Sequence, residues 1–148
     1  MVEQKSADQD AWERSPGYVY FIAAGDPPIA VKIGVTKESK LKDRVGEHQG
    51  SNHEPLRLLG AIPFRDSERP TADAYAHEQE LHKRYAHLRR FQPGWAGHEW
   101  FTASPDLLDY IRSVVTPPSQ LGVPESEARP GPGLRLRSVQ AERPGVTR

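Results

Sequence analysis

The sequence predicts a small α/β domain of the α+β kind, in which a three-stranded antiparallel sheet is flanked by helices in the order β-β-α-β-α-α. Three apolar, strand-like runs and three segments with helical periodicity support this prediction. The chain has 148 residues, close to the usual size of one domain. A domain of this size holds one modest hydrophobic core.

The first two strands are predicted to form a hairpin. Residues 17–24 (GYVYFIAA) are dense in aromatic and β-branched side chains, and residues 29–35 (IAVKIGV) follow after a Gly-Asp-Pro-Pro turn. A third strand is predicted over residues 54–64, where Gly60 and Pro63 indicate a bend or an edge position.

Three helices complete the prediction. The first begins behind a cap at Thr36 or Ser39 and ends near residue 49. The second spans residues 71–90, and the third spans residues 105–115 behind a cap at Ser104. Between the last two helices, the Glu-Trp-Phe segment is expected to form either a short strand or a turn that packs two aromatic rings.

The composition of the two ends sets the predicted domain limits. Residues 1–15 are expected to form a flexible segment, and residues 16–115 the folded domain. Residues 116–148 are rich in proline and arginine and contain no aromatic residue. We therefore expect a disordered tail there, with docking on a protein partner as the alternative.

Composition also excludes several classes of function. The absence of cysteine removes disulfides, thiolate catalysis and cysteine-ligated zinc. No signal-peptide core or membrane-length apolar run is present, so a cytoplasmic protein without a membrane partner is expected. The formal net charge is zero, so any phosphate-binding surface must be local.

Polar side chains cluster on the predicted hairpin and on two predicted helices. Arg44 and His48 are four residues apart, as are Glu78 and His82, so each pair projects from one face of its helix. The strands add Tyr18, Tyr20 and Lys32. Hydrolysis of a phosphodiester needs a group that deprotonates water, a cation for the phosphoryl oxygens and a proton source. These residue types can supply all three, and Mg²⁺ suits a site with one carboxylate because it keeps several waters.

The order and spacing of these residues resemble the GIY-YIG nuclease superfamily. Val19-Tyr20 is similar to the GIY half of its motif, and Lys32-Ile33-Gly34 stands twelve residues on, where the YIG half belongs. Arg44, twelve residues beyond Lys32, matches the family's arginine, and Glu78 matches its metal-binding glutamate. The forms YVYF, KIGVT, ELH and EWF are most similar to the phage and bacterial T5 Orf172-like branch, which is described as DNA-binding. The resemblance covers residues 17–101.

The resemblance implies a role for each matching residue. Tyr20 would act as the general base or orient the attacking water, Arg44 would hold the scissile phosphate, and His48 would assist proton transfer. Glu78 would bind Mg²⁺ or Mn²⁺. Lys32 replaces the YIG tyrosine, where it could contact phosphate as a cation or act as a base with a lowered pKa.

Further positions are implied with accessory roles or depart from the family pattern. Tyr18 stands where the family has its first glycine, and His82 lies one turn beyond the matching glutamate. The family's late asparagine has no clear counterpart, and His98 or Glu99 occupies that region.

Ordinary structural roles compete with these assignments. Tyr18 and Tyr20 share one strand face, where two aromatic rings are usually part of the core. Arg44 sits among charged neighbours and would usually be a solvated residue in a weak ion pair. A nucleic-acid contact surface is expected from lysines that would otherwise be plain surface residues, namely Lys37, Lys40 and Lys42. The HEQELH segment does not have the HExxH spacing of a zinc protease.

The sequence therefore predicts a Mg²⁺- or Mn²⁺-dependent endonuclease that hydrolyses DNA, with RNA as an alternative substrate. The alternative is a DNA-binding module that keeps the fold but has lost catalysis because Lys32 and the missing asparagine alter the site. A weaker alternative is a protein-interaction domain that uses its tail.

Overall fold

The chain folds into a four-stranded sheet with helices on both faces, as described by a computed structural model for residues 6–50, 55–90 and 99–123. The helices are α1 (Ala7–Arg14), α2 (Leu41–Gly50), α3 (Pro70–Arg84) and α4 (Pro105–Val114). The strands are β1 (Gly17–Ala24), β2 (Ala30–Lys37), β3 (Leu56–Phe64) and β4 (Trp100–Thr102). Within these ranges, no helix has the length and apolar content needed to cross a bilayer.

The sheet is antiparallel, with the strand order β3-β1-β2-β4. The predicted fold class is confirmed, but the predicted number of three strands is wrong. The fourth strand, β4, pairs with Ala30–Lys32 of β2. It falls on the Glu-Trp-Phe segment, which the sequence left open between strand and turn because three residues show no clear alternation.

Strand β1 has both faces buried, and its side chains alternate between two hydrophobic clusters. Tyr20 and Ile22 face α2 and pack in the cluster that contains Leu41. Val19 and Phe21 pack in the opposite cluster, with side chains of α3 and α4. The sheet is therefore a middle layer, with α2 on one face and α3 and α4 on the other.

Strand β3 lies at the edge of the sheet, one of the two alternatives that Gly60 and Pro63 indicated. The pairing with β1 shifts register between Phe21 and Ile22, which places a bulge beside Gly60. Gly60 has a φ of 150°, and a Cβ there would lie 2.7 Å from the Thr116 carbonyl oxygen. Glycine is therefore required at this point. Residue 54, the predicted start of the strand, lies outside the described residues.

The second predicted helix is six residues too long, because α3 ends at Arg84 rather than at residue 90. A short 3₁₀ turn, Ala86–Leu88, follows it. Arg89 then forms a β-bridge with Phe101, and the Arg90 N–H donates to the Trp100 carbonyl at 3.0 Å. The chain leaves the helix early because its backbone pairs with β4.

The other two predicted helices differ less from the structure. The last helix is confirmed as α4, and Ser104 Oγ caps it by accepting from the Leu107 N–H at 3.2 Å. The first begins later than predicted. Strand β2 includes Thr36, and a 3₁₀ turn over Glu38–Lys40 leads into α2.

The amino-terminal segment was expected to be flexible, yet α1 forms within it. Ser6 caps this helix through its Oγ, which accepts from the Gln9 N–H at 3.0 Å. Arg69 then ties α1 to the start of α3, with ion pairs of 2.9 Å to Asp10 and 2.7 Å to Glu13. The sequence did not predict this helix because polar pairs, rather than an apolar stripe, hold it in place.

The predicted start of the disordered tail at residue 116 is also too early. The Thr116 backbone exchanges hydrogen bonds of 3.2 and 2.8 Å with Ala61. Leu121 and Val123 then pack in the cluster under α2. Residues 124–148, which make up the rest of the predicted tail, lie outside the described residues.

Candidate active site

The candidate site lies where β4 stops covering the edge of β2. Strand β4 pairs only with Ala30–Lys32, and within the described part of the chain no strand lies beside the following residues of β2 on that side. At this edge the Ile33 N–H donates to the Glu99 carbonyl at 3.2 Å, and the Ile33 carbonyl accepts from His82 Nε2 at 3.0 Å. Helix α3 thus reaches around the open edge of β2.

A cavity of about 470 Å³ opens at this edge. It brings together the predicted residues Tyr20, Lys32, Arg44, His48, Glu78, His82 and Glu99. They come from β1, β2, α2, α3 and the residue before β4, so no single segment of the sequence contains the site. His98, the alternative to Glu99 in the predicted site, lies outside the described residues.

Tyr20 and His48 form one side of the cavity. The Tyr20 hydroxyl lies 3.2 Å from His48 Nε2. Burial, together with the charge of Glu99, raises the pKa of the Tyr20 phenol well above its usual value. Burial, together with the charge of Lys32, lowers the pKa of His48. At neutral pH the phenol is therefore protonated and the imidazole uncharged, so the hydroxyl can donate to the ring nitrogen.

Gly34 makes room for the Tyr20 ring. The two residues face each other across the β1–β2 hairpin. A Cβ at Gly34 would lie 2.5 Å from both Cζ and the hydroxyl oxygen of Tyr20, far inside van der Waals contact. The glycine of the Lys-Ile-Gly motif therefore sets the position of the phenol.

Lys32 is 5% exposed, and its Nζ forms an ion pair of 2.6 Å with Glu99 Oε1. The Glu99 side chain is about one-third exposed. A buried ammonium is stable only with such a partner. The pair places a fixed positive charge in the cavity wall, at the position that matches the YIG tyrosine.

Glu78 is 4% exposed and lines the cavity from α3. Its Oε1 accepts from Gln79 Nε2 at 2.8 Å. Burial, reinforced by the negative charge of Glu99, raises the pKa of Glu78 to about 7. Glu80, the other acid of the HEQELH segment, is exposed and does not line the cavity.

Arg44 stands at the outer edge of the cavity. About half of its side chain is exposed, and it makes a weak contact of 3.4 Å with Glu47, one turn further along α2. A guanidinium in this position can exchange that contact for a bidentate contact with a phosphate from solvent.

His82 has a visible structural role. Its Nε2 donates to the Ile33 carbonyl, which fixes the tautomer at that nitrogen, and its ring lies 5.1 Å from that of Phe101. It therefore ties α3 to the edge of β2 while lining the cavity.

Tyr18 does not line the cavity, although it shares a strand face with Tyr20. Its hydroxyl donates to Glu38 at 3.4 Å and accepts from Arg65 at 3.0 Å, and its ring belongs to the core cluster under α2. Tyr18 is therefore part of the hydrophobic core, as expected for an aromatic residue on a buried strand face.

The three predicted contact lysines also lie outside the cavity. Lys37 and Lys40 line an adjoining cavity of about 320 Å³, which Arg44 lines as well. Lys42 is exposed and lines neither cavity.

Sequence reasoning missed the cavity residues Val35, Tyr75 and Gln79. A signal for two of them was present. Tyr75, Glu78, Gln79 and His82 follow the spacing i, i+3, i+4 and i+7, which defines one face of a helix. Because Glu78 and His82 were assigned to the site, the same helical spacing would also have assigned Tyr75 and Gln79 to it.

The oxygen donors in the cavity suit a hard cation better than zinc. In the described ranges, no group of three or more His, Asp or Glu side chains is placed to hold a metal ion. Glu78 is a buried carboxylate, and Lys32, which lines the same cavity, is already paired with Glu99. Magnesium requires only one or two carboxylates and completes its shell with water and phosphate oxygens. The residues present fit that requirement.

A family model of the T5orf172 domain matches residues 17–116, which is more than half of the chain. No curated protein and no solved structure matches the chain.

Proposed function

The chain belongs to the T5orf172 domain family, and from this membership and the geometry of the cavity we propose that it is a metal-dependent endonuclease of the GIY-YIG type that hydrolyses DNA. The single observation that carries the proposal is that Tyr20, Lys32, Arg44, His48 and Glu78 line one cavity. An endonuclease site of this type requires these five residues, which come from four elements, to meet on one concave surface.

Two cations of the cavity would hold the scissile phosphate. Arg44 is exposed enough to move onto the phosphate, and Lys32 is fixed by Glu99. Arg44 would therefore change its position when the substrate binds, whereas Lys32 would keep its position. Both would stabilise the negative charge that develops on the phosphoryl oxygens in the transition state.

Tyr20 and His48 would handle the proton of the attacking water. Because the Tyr20 phenol is protonated at neutral pH, it is not itself the base. When its hydroxyl donates to His48 Nε2, the phenol oxygen is free to accept from a water. The proton would then pass through the phenol to the uncharged imidazole, which the lowered pKa of His48 keeps available at neutral pH.

Glu78 is the residue that would hold Mg²⁺ or Mn²⁺. The metal would supply a Lewis acid at the phosphoryl oxygens. The carboxylate must lose its proton to bind a cation, and its pKa of about 7 makes this step sensitive to pH in the neutral range.

Nicking of supercoiled plasmid with Mg²⁺ or Mn²⁺ tests the proposal, with single-stranded RNA as a parallel substrate. Arg44→Ala and Glu78→Ala should each lower the rate by about 100-fold or more, the size expected for loss of one charge-stabilising group. Matched controls are Arg57→Ala, an exposed arginine on β3, and Glu80→Ala, an exposed glutamate on α3. Equal loss in a variant and its control, or no nicking by the native chain, would refute the enzyme proposal.

The substitution at position 32 favours a second candidate, a DNA-binding module without turnover. Lys32 cannot reproduce a phenol, and its ammonium is held by Glu99. This candidate predicts that the native chain shifts DNA in a gel, that Arg44→Ala weakens the shift, and that no metal produces nicks. Residues 124–148, most of the tail that would serve a protein-interaction domain, lie outside the described residues, so that alternative stays a prediction.

A further inference from the structure

We infer that Trp12 and Tyr75 form a platform for one unpaired nucleobase, beside the cavity that would hold the phosphate. We call these two residues the aromatic pair. The inference rests on the proposed function, because it assigns the nucleotide next to the scissile phosphate. It adds α1 to the site, although the matched T5orf172 region begins only at residue 17.

Helix α1 is held firmly enough to carry part of a binding site. Arg69 forms ion pairs with both Asp10 and Glu13, and the second of these carboxylates is buried. The end of the helix is fixed as well, because the Ser15 carbonyl accepts from Thr71 Oγ1 at 2.6 Å and from the Thr71 N–H at 3.1 Å. Trp12 therefore projects from a fixed helix.

The aromatic pair borders the candidate active site on two sides. The rings of Trp12 and Tyr75 meet edge to face, with centroids 6.5 Å apart and an interplanar angle of 68°. Tyr75 lines the 470 Å³ cavity together with Arg44. Trp12 lines the adjoining 320 Å³ cavity, which Arg44 also lines. A ligand bound by Arg44 would thus lie next to both rings.

Packing does not account for the position of Tyr75. Its side chain is 48% exposed, and among the described residues the only other large apolar side chain as exposed is Ile29. Trp12 is itself partly exposed. An aromatic face left open to solvent beside a functional cavity provides a surface for a flat apolar group.

On the side that faces Arg44, the charge beside the pair favours a nucleotide over other flat ligands. On the opposite side, the cavity that both rings line carries the carboxylates Asp8 and Glu13. The adjoining cavity is lined by the cations Lys37, Lys40 and Arg44 against the carboxylates Asp43 and Glu47. Glu47 is already in contact with Arg44. The excess of positive charge suits a phosphate-linked ligand, and aromatic rings stack on any base.

The base must be unpaired, because a base inside a duplex is already stacked on its neighbours and has no face open to a side chain. The aromatic pair therefore points to a substrate with a single-stranded or displaced nucleotide at the cut site. Lys37 and Lys40 would contact the backbone of the same strand.

Binding of a labelled single-stranded oligodeoxynucleotide and of the matching duplex, followed by fluorescence anisotropy, tests this inference. Trp12→Leu and Tyr75→Leu keep an apolar side chain but remove the aromatic face. Each should weaken binding of the single strand by roughly 5- to 150-fold, the range for loss of one stacked base, and leave duplex binding unchanged.

Three further variants complete the design. Trp12→Phe keeps an aromatic ring and should retain most of the single-strand affinity. Ile29→Ala alters a side chain that is as exposed but lines neither cavity, and it should bind as the native chain does. Circular dichroism checks that α1 remains helical in each variant.

The outcomes separate this inference from the proposed function. If the leucine variants bind the single strand as tightly as the native chain, or lose both forms equally, the base platform is refuted. In that case the nicking assay with the native chain and Arg44→Ala still tests the proposed function. If the native chain binds neither form, the proposed function fails, and the inference fails with it.

Discussion

Adding one methyl group at Gly34 is expected to push the Tyr20 ring out of place and so to disturb the candidate active site from within the sheet. The Cβ of Gly34→Ala would lie 2.5 Å from Tyr20 Cζ and from its hydroxyl oxygen, whereas ordinary contact begins at 3.4 Å. The two groups must therefore separate by about 0.9 Å. At Gly34 the backbone of β2 pairs with β1, and the neighbouring Ile33 is held on the other side by the Glu99 carbonyl and by His82, so the ring is the part that moves.

The ring cannot move without cost. Tyr20 is 3% exposed, and its hydroxyl is bonded to His48. Overpacking of this kind typically costs about 1 to 3 kcal/mol. Loss of the contact with His48 would also remove the acceptor that orients the phenol, so nicking should fall along with stability.

Thermal and urea unfolding measure the cost, with Gly46→Ala as the matched control. Gly46 lies in α2, two residues from both Arg44 and His48, and a Cβ there meets no atom within 4 Å. Alanine in a helix interior gains about 0.5 to 1 kcal/mol over glycine. We therefore expect Gly46→Ala to raise the melting temperature and Gly34→Ala to lower it, by about 4 to 8 °C for each kcal/mol.

Two results would contradict the reasoning. A Gly34→Ala chain as stable as the native one would mean that the Tyr20 ring is not confined against β2. A Gly34→Ala chain that loses stability but nicks at the native rate would mean that the position of the phenol does not matter to the reaction.

Two further predictions concern buried carboxylates. Folding raises the pKa of the Glu78 carboxyl, so this group destabilises the folded chain increasingly as the pH rises from 4.5 to about 7. Glu78→Gln removes that ionisation and should raise the free energy of unfolding by about 1 to 3 kcal/mol at pH 8, and by far less at pH 4.5. Urea titrations at both pH values measure the difference. An unchanged difference across that range would contradict the raised pKa. Arg69→Ala leaves buried Glu13 without its cation, which should cost about 1 to 3 kcal/mol and speed hydrogen exchange across residues 7–14. The control is Arg14→Ala, which removes an exposed ion pair and should change stability by less than about 0.5 kcal/mol. If hydrogen exchange across residues 7–14 is equally fast in Arg69→Ala and Arg14→Ala, Arg69 is not what holds α1.

The sequence predicted those elements whose signals are local. The dense run of aromatic and β-branched residues in β1 and the capping serine before α4 are each readable within a few residues, and both elements are present in the structure. The grouping of Arg44 with His48, and of Glu78 with His82, follows from helical spacing alone.

The errors occur where distant segments decide the structure. Strand β4 exists because Phe101 pairs with Val31, seventy residues earlier in the chain. The pairing of Arg89 and Arg90 with the same strand ends α3 early. Helix α1 depends on Arg69, which lies more than fifty residues away. Tertiary contacts of this kind override local propensity and leave no periodic signal in the sequence.

The placement of buried polar groups argues that the cavity is kept for function. Six polar or charged residues are buried among the described residues: Glu13, Lys32, Thr36, Thr71, Glu78 and His82. Three of the six line the one 470 Å³ cavity, including a lysine and a glutamate. Apolar side chains of similar volume would make a fold of this size equally or more stable, because burying an ionisable group costs more than it returns unless the group is fully paired. Such costs are concentrated at the open edge of β2, and Thr36 is the only other buried polar side chain in the described strands. This is the distribution expected when stability is given up at a reactive site.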